Sequence, residues 1–174
     1  MAGQLKRTRF EQTVLPHWTA AYNLARWLTG FDQDADDVVQ EAYLRAFKFF
    51  DGFHGDDSRA WLLTIVRNTA YTWLRQHRAQ ALNTVFDEEL QNVPSGELTS
   101  EERLLQIADH LALRECLEAL PVPFREVIIL HEMEGLSYKE IALIADIPIG
   151  TVMSRLARAR KHLQQCVMDR VGKE

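Results

Sequence analysis

The chain has 174 residues, 47% apolar and 26% charged, which is the composition of a folded protein and fits one ordinary domain or two small ones. Lysine and arginine number 20 against 25 aspartates and glutamates, so the net charge of −5 excludes a uniformly basic nucleic-acid coat while leaving local basic faces possible. No apolar run approaches the roughly 20 residues of a membrane span, and the polar, basic Met1–Arg9 segment is not a secretory signal, so a cytosolic protein without membrane insertion is expected.

Apolar residues recur at helical spacing and strict alternation is hard to find, so the chain reads as all-α. A first helix is predicted over Arg7 to Thr29, with Gly30 just past its end. Asp32 and Asp34 are placed to cap a second helix over Asp34 to Phe50. After the Asp51-Gly52 and Gly55-Asp56-Asp57 breaks, Ser58 is read as the cap of a third helix over Arg59 to Leu82. From Asn83 to Ser100 the chain is acidic and polar around Pro94-Ser95-Gly96, and it reads as a flexible linker. Thr99 and Glu102 have capping-box spacing before a helix ending near Leu120. Pro121 and Pro123 break it, and a further helix over Pro123 to Glu134 stops at Gly135. Ser137 and Glu140 form a second capping box for a short helix to Ala145, and a turn with Asp146 and Pro148 leads into a last helix, Ile149 to Met168. Two small helical lobes follow from this, residues 7–82 and 101–170, joined by 83–100, with their relative placement left open.

Three helix faces carry the chemistry. The stretch from Ser137 to Leu156 has the layout of a helix-turn-helix. Ile149, Val152, Leu156, Ala159 and Leu163 share one face of the last helix and are expected against Ile141, Ala142 and Ala145. The opposite face presents Thr151, Ser154, Arg155, Arg158 and His162, and no acidic residue occurs from Ile147 to Met168. Such a face suits a major groove, where arginine pairs with guanine edges and hydroxyls reach phosphate or base.

In the third helix, Leu62, Ile65, Val66, Ala70, Trp73 and Leu74 make the buried side. Thr64, Arg67, Asn68, Tyr71, Arg75 and Arg78 recur on the other side of a segment, Ser58 to Phe86, without acidic residues. A basic face with an aromatic and an amide can follow a phosphate backbone and meet unstacked bases. The second helix differs. Ala35, Val38, Val39, Ala42, Ala46 and Phe49 form its apolar stripe, while Asp37, Gln40, Glu41, Leu44 and Arg45 lie away from it. With Leu44 as an apolar anchor in a charged ring, that face suits a protein partner.

Signals for catalysis are weak. His131-Glu132 matches only the start of a zinc-protease motif, because the second histidine would fall at Gly135. No cofactor, metal site or enzymatic activity is expected. Cys116 and Cys166 stand far apart, outside any CxxC spacing, so neither a disulfide scaffold nor a cysteine zinc site is expected and both read as buried thiols.

Three blocks in order resemble a bacterial RNA polymerase sigma factor of the sigma-70 family, and more narrowly its extracytoplasmic-function (ECF) group, which keeps the second and fourth conserved sigma regions. The resemblance covers Phe10 to Val167. Asp36-Asp37-Val38-Val39-Gln40-Glu41-Ala42-Tyr43-Leu44-Arg45-Ala46 is similar to the segment that docks on the polymerase clamp helices. Arg59-Ala60-Trp61-Leu62 through Asn68-Thr69-Ala70 is similar to the segment that melts and reads the −10 promoter element. Leu120-Pro121 through Arg160 is similar to the domain that reads the −35 element. The resemblance implies that Asp37, Gln40, Glu41 and Arg45 hold core RNA polymerase. It implies that Asn68 and the Phe53–Ser58 loop capture flipped bases of promoter DNA, and that Arg67, Arg75 and Arg78 hold phosphates. It places Ser154, Arg155 and Arg158 in the −35 groove with Thr151 near the backbone, and threads the acidic linker through the polymerase. It also implies control by a separate anti-sigma factor. The sequence departs from the pattern at Met153, where many relatives carry lysine or arginine, so a relative's −35 sequence does not transfer. Two rival readings stand beside this one: a stand-alone helix-turn-helix regulator, and a sigma mimic that sequesters an anti-sigma factor.

Overall fold

The computed structural model describes the backbone of residues 1–81 and 100–172, and the side chains of 1–77 and 109–172. Among these residues every regular element is helical: α1 (Ala2–Val14), α2 (Trp18–Thr29), α3 (Asp32–Phe49), α4 (Ser58–Ala81), α5 (Ser100–Ala119), α6 (Val122–Ile128), α7 (Tyr138–Ala145) and α8 (Ile149–Val171). The all-α reading is borne out. The segment read as a linker, and the Thr99–Glu102 capping box, lie outside the described residues.

The helix predicted over Arg7 to Thr29 is two helices. Pro16 has no N–H to continue the ladder and its ring crowds the preceding turn, so a 3₁₀ turn over Leu15–His17 separates α1 from α2. Asp32 and Asp34 do not cap α3. They fall within its first turn, where their charges suit the N-terminal end of the helix dipole, and extended Phe31 is the cap residue. Ser58 likewise lies inside α4, and the side chain of Asp57 takes the N–H of Ala60 at 3.0 Å instead. The reading of Phe49 as core is also overturned. Phe49 is 59% exposed, and the chain turns through a 3₁₀ segment that buries Phe50 in its place.

Helices α2, α3 and α4 pack on one another around Leu24, Leu28, Val38, Val39, Ala42, Leu62 and Val66. The weakly amphipathic α1 adds Phe10, whose ring meets Phe47 and Phe50 edge-on at 5.2 and 5.3 Å. The second lobe centres on α8, against which α5, α6 and α7 all pack. Val127, Ile129, Leu130, Ile141, Ile144, Val152 and Leu156 fill it.

The helix predicted to reach Glu134 ends as α6 at Ile128 and continues as a wider π turn, Ile129–Met133. Gly135 then takes φ +66°, a left-handed turn that glycine adopts without a Cβ penalty. The Ser137–Glu140 capping box forms as read, the Glu140 N–H donating to Ser137 Oγ at 3.1 Å and the Ser137 N–H to Glu140 Oε1 at 3.3 Å. Asp146, with φ +54°, turns the chain from α7 into α8.

The two thiols expected to stay free are joined. Cys116 on α5 and Cys166 on α8 form a disulfide with their Cα atoms 5.9 Å apart. Their distance along the chain hid this, because packing α5 on α8 brings them together. The two lobes also touch: α4 packs on α7 and α2 on α6, so their buried side chains form one continuous cluster.

Candidate nucleic-acid and partner interface

Helix α4 has two sides that remain distinct along its length. Leu62, Val66, Thr69 and Ala70 face the first lobe's core, with Ile65, Trp73 and Leu74 only partly covered. Leu63, which the apolar pattern had not placed inside, is fully buried. It stands on a line of every fourth residue, Arg59, Leu63, Arg67 and Tyr71, that faces the second lobe. The Arg59 guanidinium donates to the carbonyl of Glu134 at 3.2 Å. Arg67 Nε donates to Glu126 Oε1 at 2.6 Å, and the Tyr71 hydroxyl donates to Glu126 Oε2 at 2.7 Å.

Burial lowers the Arg67 pKa, but the hydrogen bond and charge of Glu126 more than offset it, so the guanidinium stays charged. Burial and then the Glu126 charge push the Tyr71 hydroxyl well above its ordinary range, so it remains a donor. The guanidinium also lies 4.0 Å above the Tyr71 ring.

The predicted basic-aromatic face is therefore divided. Asn68 and Arg75 are exposed, while Arg67 and Tyr71 are taken up by Glu126. Thr64 is bonded back to the Ala60 carbonyl at 2.8 Å. The side chain of Arg78 lies outside the described residues. Phe53, in the loop before α4, lies tilted against Trp61 at 4.8 Å and packs on the core, so it belongs partly to the core.

The outer face of α8 presents Thr151, Ser154, Arg155 and Arg158 in one strip, with Ser154 and Arg158 exposed and the other two half-buried. Among the described residues no ion pair engages Arg155 or Arg158, whereas Arg160 is held by Glu132 at 2.9 Å. Ile149 was expected on the buried face; at the first position of the helix it is 46% exposed. Val152, Leu156 and Ala159 are buried as read. His162, placed with the polar strip, packs its ring toward Phe124 at 6.1 Å.

On α3 the side away from the core carries Asp37, Gln40, Glu41, Leu44 and Arg45, with Leu44 73% exposed. Glu41 and Arg45 pair across one turn at 2.5 Å.

Two residues that the sequence reading missed organise the contact between lobes. Arg125 donates to the carbonyls of Leu117 and Leu120 at 3.0 and 2.9 Å, to that of Glu118, and across to that of Trp27 on α2 at 2.8 Å. Glu126 is fully buried. Neither carries a local signal in the sequence; the Arg59–Tyr71 line on α4, its residues one helical turn apart with an apolar one among them, is the surface that Glu126 meets.

Residues 14–80 match the family described as Sigma-70 region 2, and residues 110–163 match Sigma-70, region 4. The chain is 39% identical over 142 residues to the ECF RNA polymerase sigma-E factor of Escherichia coli (strain K12), covering 77% of this chain and 74% of that one. This chain belongs to the ECF group of the sigma-70 family. It is a promoter-specificity sigma subunit. Its fold is that of the sigma factor RpoE in complex with the anti-sigma factor NepR from Bartonella quintana, with a TM-score of 0.73, 30% identity, and 91% of this chain and 96% of that one covered. CnrH in complex with the cytosolic domain of CnrY also resembles this sigma factor, with a TM-score of 0.61, 28% identity, and coverage of 91% and 87%. The region 2 match spans nearly all of the α4 face and the region 4 match contains the α8 strip, so both candidate DNA faces of this sigma factor fall within matched sequence.

Proposed function

We propose that this sigma factor docks on core RNA polymerase through Asp37, Gln40, Glu41, Leu44 and Arg45, and reads promoter DNA at two places. The region 2 lobe, 7–82, engages the −10 element: Asn68 meets unstacked bases, Tyr71 offers a stacking face, and Arg67, Arg75 and Arg78 hold phosphates. The region 4 lobe, 101–170, sets α8 in the −35 major groove, with Ser154, Arg155 and Arg158 at base edges and Thr151 near the backbone. Residues 83–100 connect the two. Trapping unstacked bases offsets an unpairing cost of a few kcal/mol per base. No covalent chemistry is required of the chain, and no cofactor.

The observation that carries this reading is the pair of separate exposed polar strips, Asn68 with Arg75 on α4 and Ser154 with Arg158 on α8, on one chain whose α3 bears a third, charge-ringed apolar face. The work is that of a cytoplasmic protein; no described helix is long and apolar enough to cross a membrane. Control by an anti-sigma factor is proposed by analogy with the two relatives solved with theirs.

Run-off transcription with purified core polymerase, on a fragment from upstream of the chain's own gene, tests the reading, with core binding measured in the same tubes. Transcript should require the sigma factor and should vanish with Glu41→Arg, which also abolishes core binding, and with Arg158→Ala, which does not. Absence of core binding by the unaltered chain refutes the assignment and favours a stand-alone regulator.

A further inference from the structure

Three turns of α4, from Arg59 to Tyr71, lie against region 4, and at the Arg67–Tyr71 end sits a carboxylate with no exposure to solvent. Glu126 offers one oxygen to Arg67 at 2.6 Å and the other to the Tyr71 hydroxyl at 2.7 Å. Two anionic oxygens on a guanidinium and a hydroxyl is the arrangement a backbone phosphate would make with the same two donors. We propose that Glu126 is an internal competitor for single-stranded −10 DNA: region 4 inserts a phosphate-like carboxylate into the −10 face and so holds the free sigma factor closed. The proposal rests on the assignment of Arg67 and Tyr71 to that strand.

The rest of the contact fits a latch that can open. Beyond Glu126, the polar ties between lobes among the described residues are single hydrogen bonds to main-chain carbonyls, Arg59 to Glu134 and Arg125 to Trp27. The separation of lobes needed to free Arg67 also returns Glu126 to water, so opening leaves no buried charge unpaired. Asn68 and Arg75 stay reachable in the closed form. DNA can therefore meet half of the face first and the other half only after the lobes part. The apparent dissociation constant for DNA is then the intrinsic one divided by the open fraction.

The experiment uses the full chain in three forms: unaltered, Glu126→Gln and Tyr71→Phe. Small-angle scattering reads the closure directly. A compact chain of this length has a radius of gyration of about 16 Å, and parting of the lobes moves it toward roughly 20 Å. Both variants should expand, and Glu126→Gln should bind fluorescein-labelled (dT)₂₀, a sequence-tolerant single strand, about tenfold more tightly than the unaltered chain. In the unaltered chain, saturating (dT)₂₀ should itself cause expansion, a result that does not depend on either variant folding. Unchanged dimensions in folded variants, or DNA binding to the unaltered chain without expansion, overturn the latch. Expansion of Glu126→Gln without tighter DNA binding overturns the assignment of Arg67 and Tyr71 to DNA, and with it the competition, while leaving Glu126 as a tie between lobes.

Discussion

His17 ends the 3₁₀ turn that Pro16 imposes, and its ring meets Ser58 Oγ at 2.9 Å, tying the start of α2 to the start of α4. Burial and then the Arg59 charge lower its pKa from 6.5, with Asp57 opposing in part. The unfolded chain therefore takes up a proton more readily than the folded one. This stabilising contribution is complete above 6.5 and is lost as pH falls through the lowered value. The thermal midpoint should drop between about pH 7 and about pH 5, and His17→Gln should flatten that part of the profile; an identical slope in the variant would remove His17 as the cause. Tyr43 shows the opposite economy. Burial lifts its hydroxyl to about 12, and that oxygen has no partner among the described residues. Tyr43→Phe should keep the ring against Trp18 and raise stability by about 1 kcal/mol, read by urea unfolding. At this scale the sequence was legible where a residue's neighbours in space are its neighbours at helical spacing. Val38, Val39, Val152 and Leu156 were therefore placed correctly. Leu63 was not, because the surface that covers it belongs to another lobe; nor was Phe49, because a 3₁₀ turn rotated Phe50 inward.

Helix ends divide along the same line. The Ser137–Glu140 box is written within four residues and was read directly; Ser137→Ala should cost about 1 kcal/mol in the unfolding free energy, a loss that Gly135→Ala should match or exceed because the left-handed turn penalises a Cβ. The end of α5 is capped from a distance. Its last carbonyls have no N–H from the helix itself, and the Arg125 guanidinium takes three carbonyls there as well as one from α2. Spacing cannot announce such a cap, since it depends on α6 folding back over the end of α5. Arg125→Ala should destabilise the chain by about 2–3 kcal/mol, whereas Arg114→Ala, at an exposed pair with Glu118 on the same helix, should change the urea midpoint little. Equal losses at the two sites would mean that the carbonyl contacts add nothing.

For the whole molecule, the all-α fold was legible in the helical spacing of apolar residues, as were the two lobes' separate polar strips on α4 and α8. The contact between the lobes was not. Glu126 stands in the sequence as one acidic residue between Arg125 and Val127, and nothing local shows that it will be buried beneath Arg67. The disulfide was hidden for the same reason, and it changes what kind of object region 4 is. Cys116 and Cys166, 50 residues apart, join α5 to the far part of α8, with Glu115 and Arg170 paired beside them. Closing a loop of that length restricts the unfolded chain by about 4 kcal/mol in the chain-entropy view, so reduction should lower the stability of region 4 markedly while Cys116→Ser makes the chain indifferent to reductant. The bridge also makes the region 4 lobe a covalent ring, with the turn at Asp146–Pro148 as the stretch of its circumference that leads into α8. A single protease cut in that turn opens the ring without dividing the molecule. The nicked protein would run as one species on a denaturing gel and fall into two fragments only when thiol is added, so the sigma factor could lose the continuity of its reading head while keeping its apparent size.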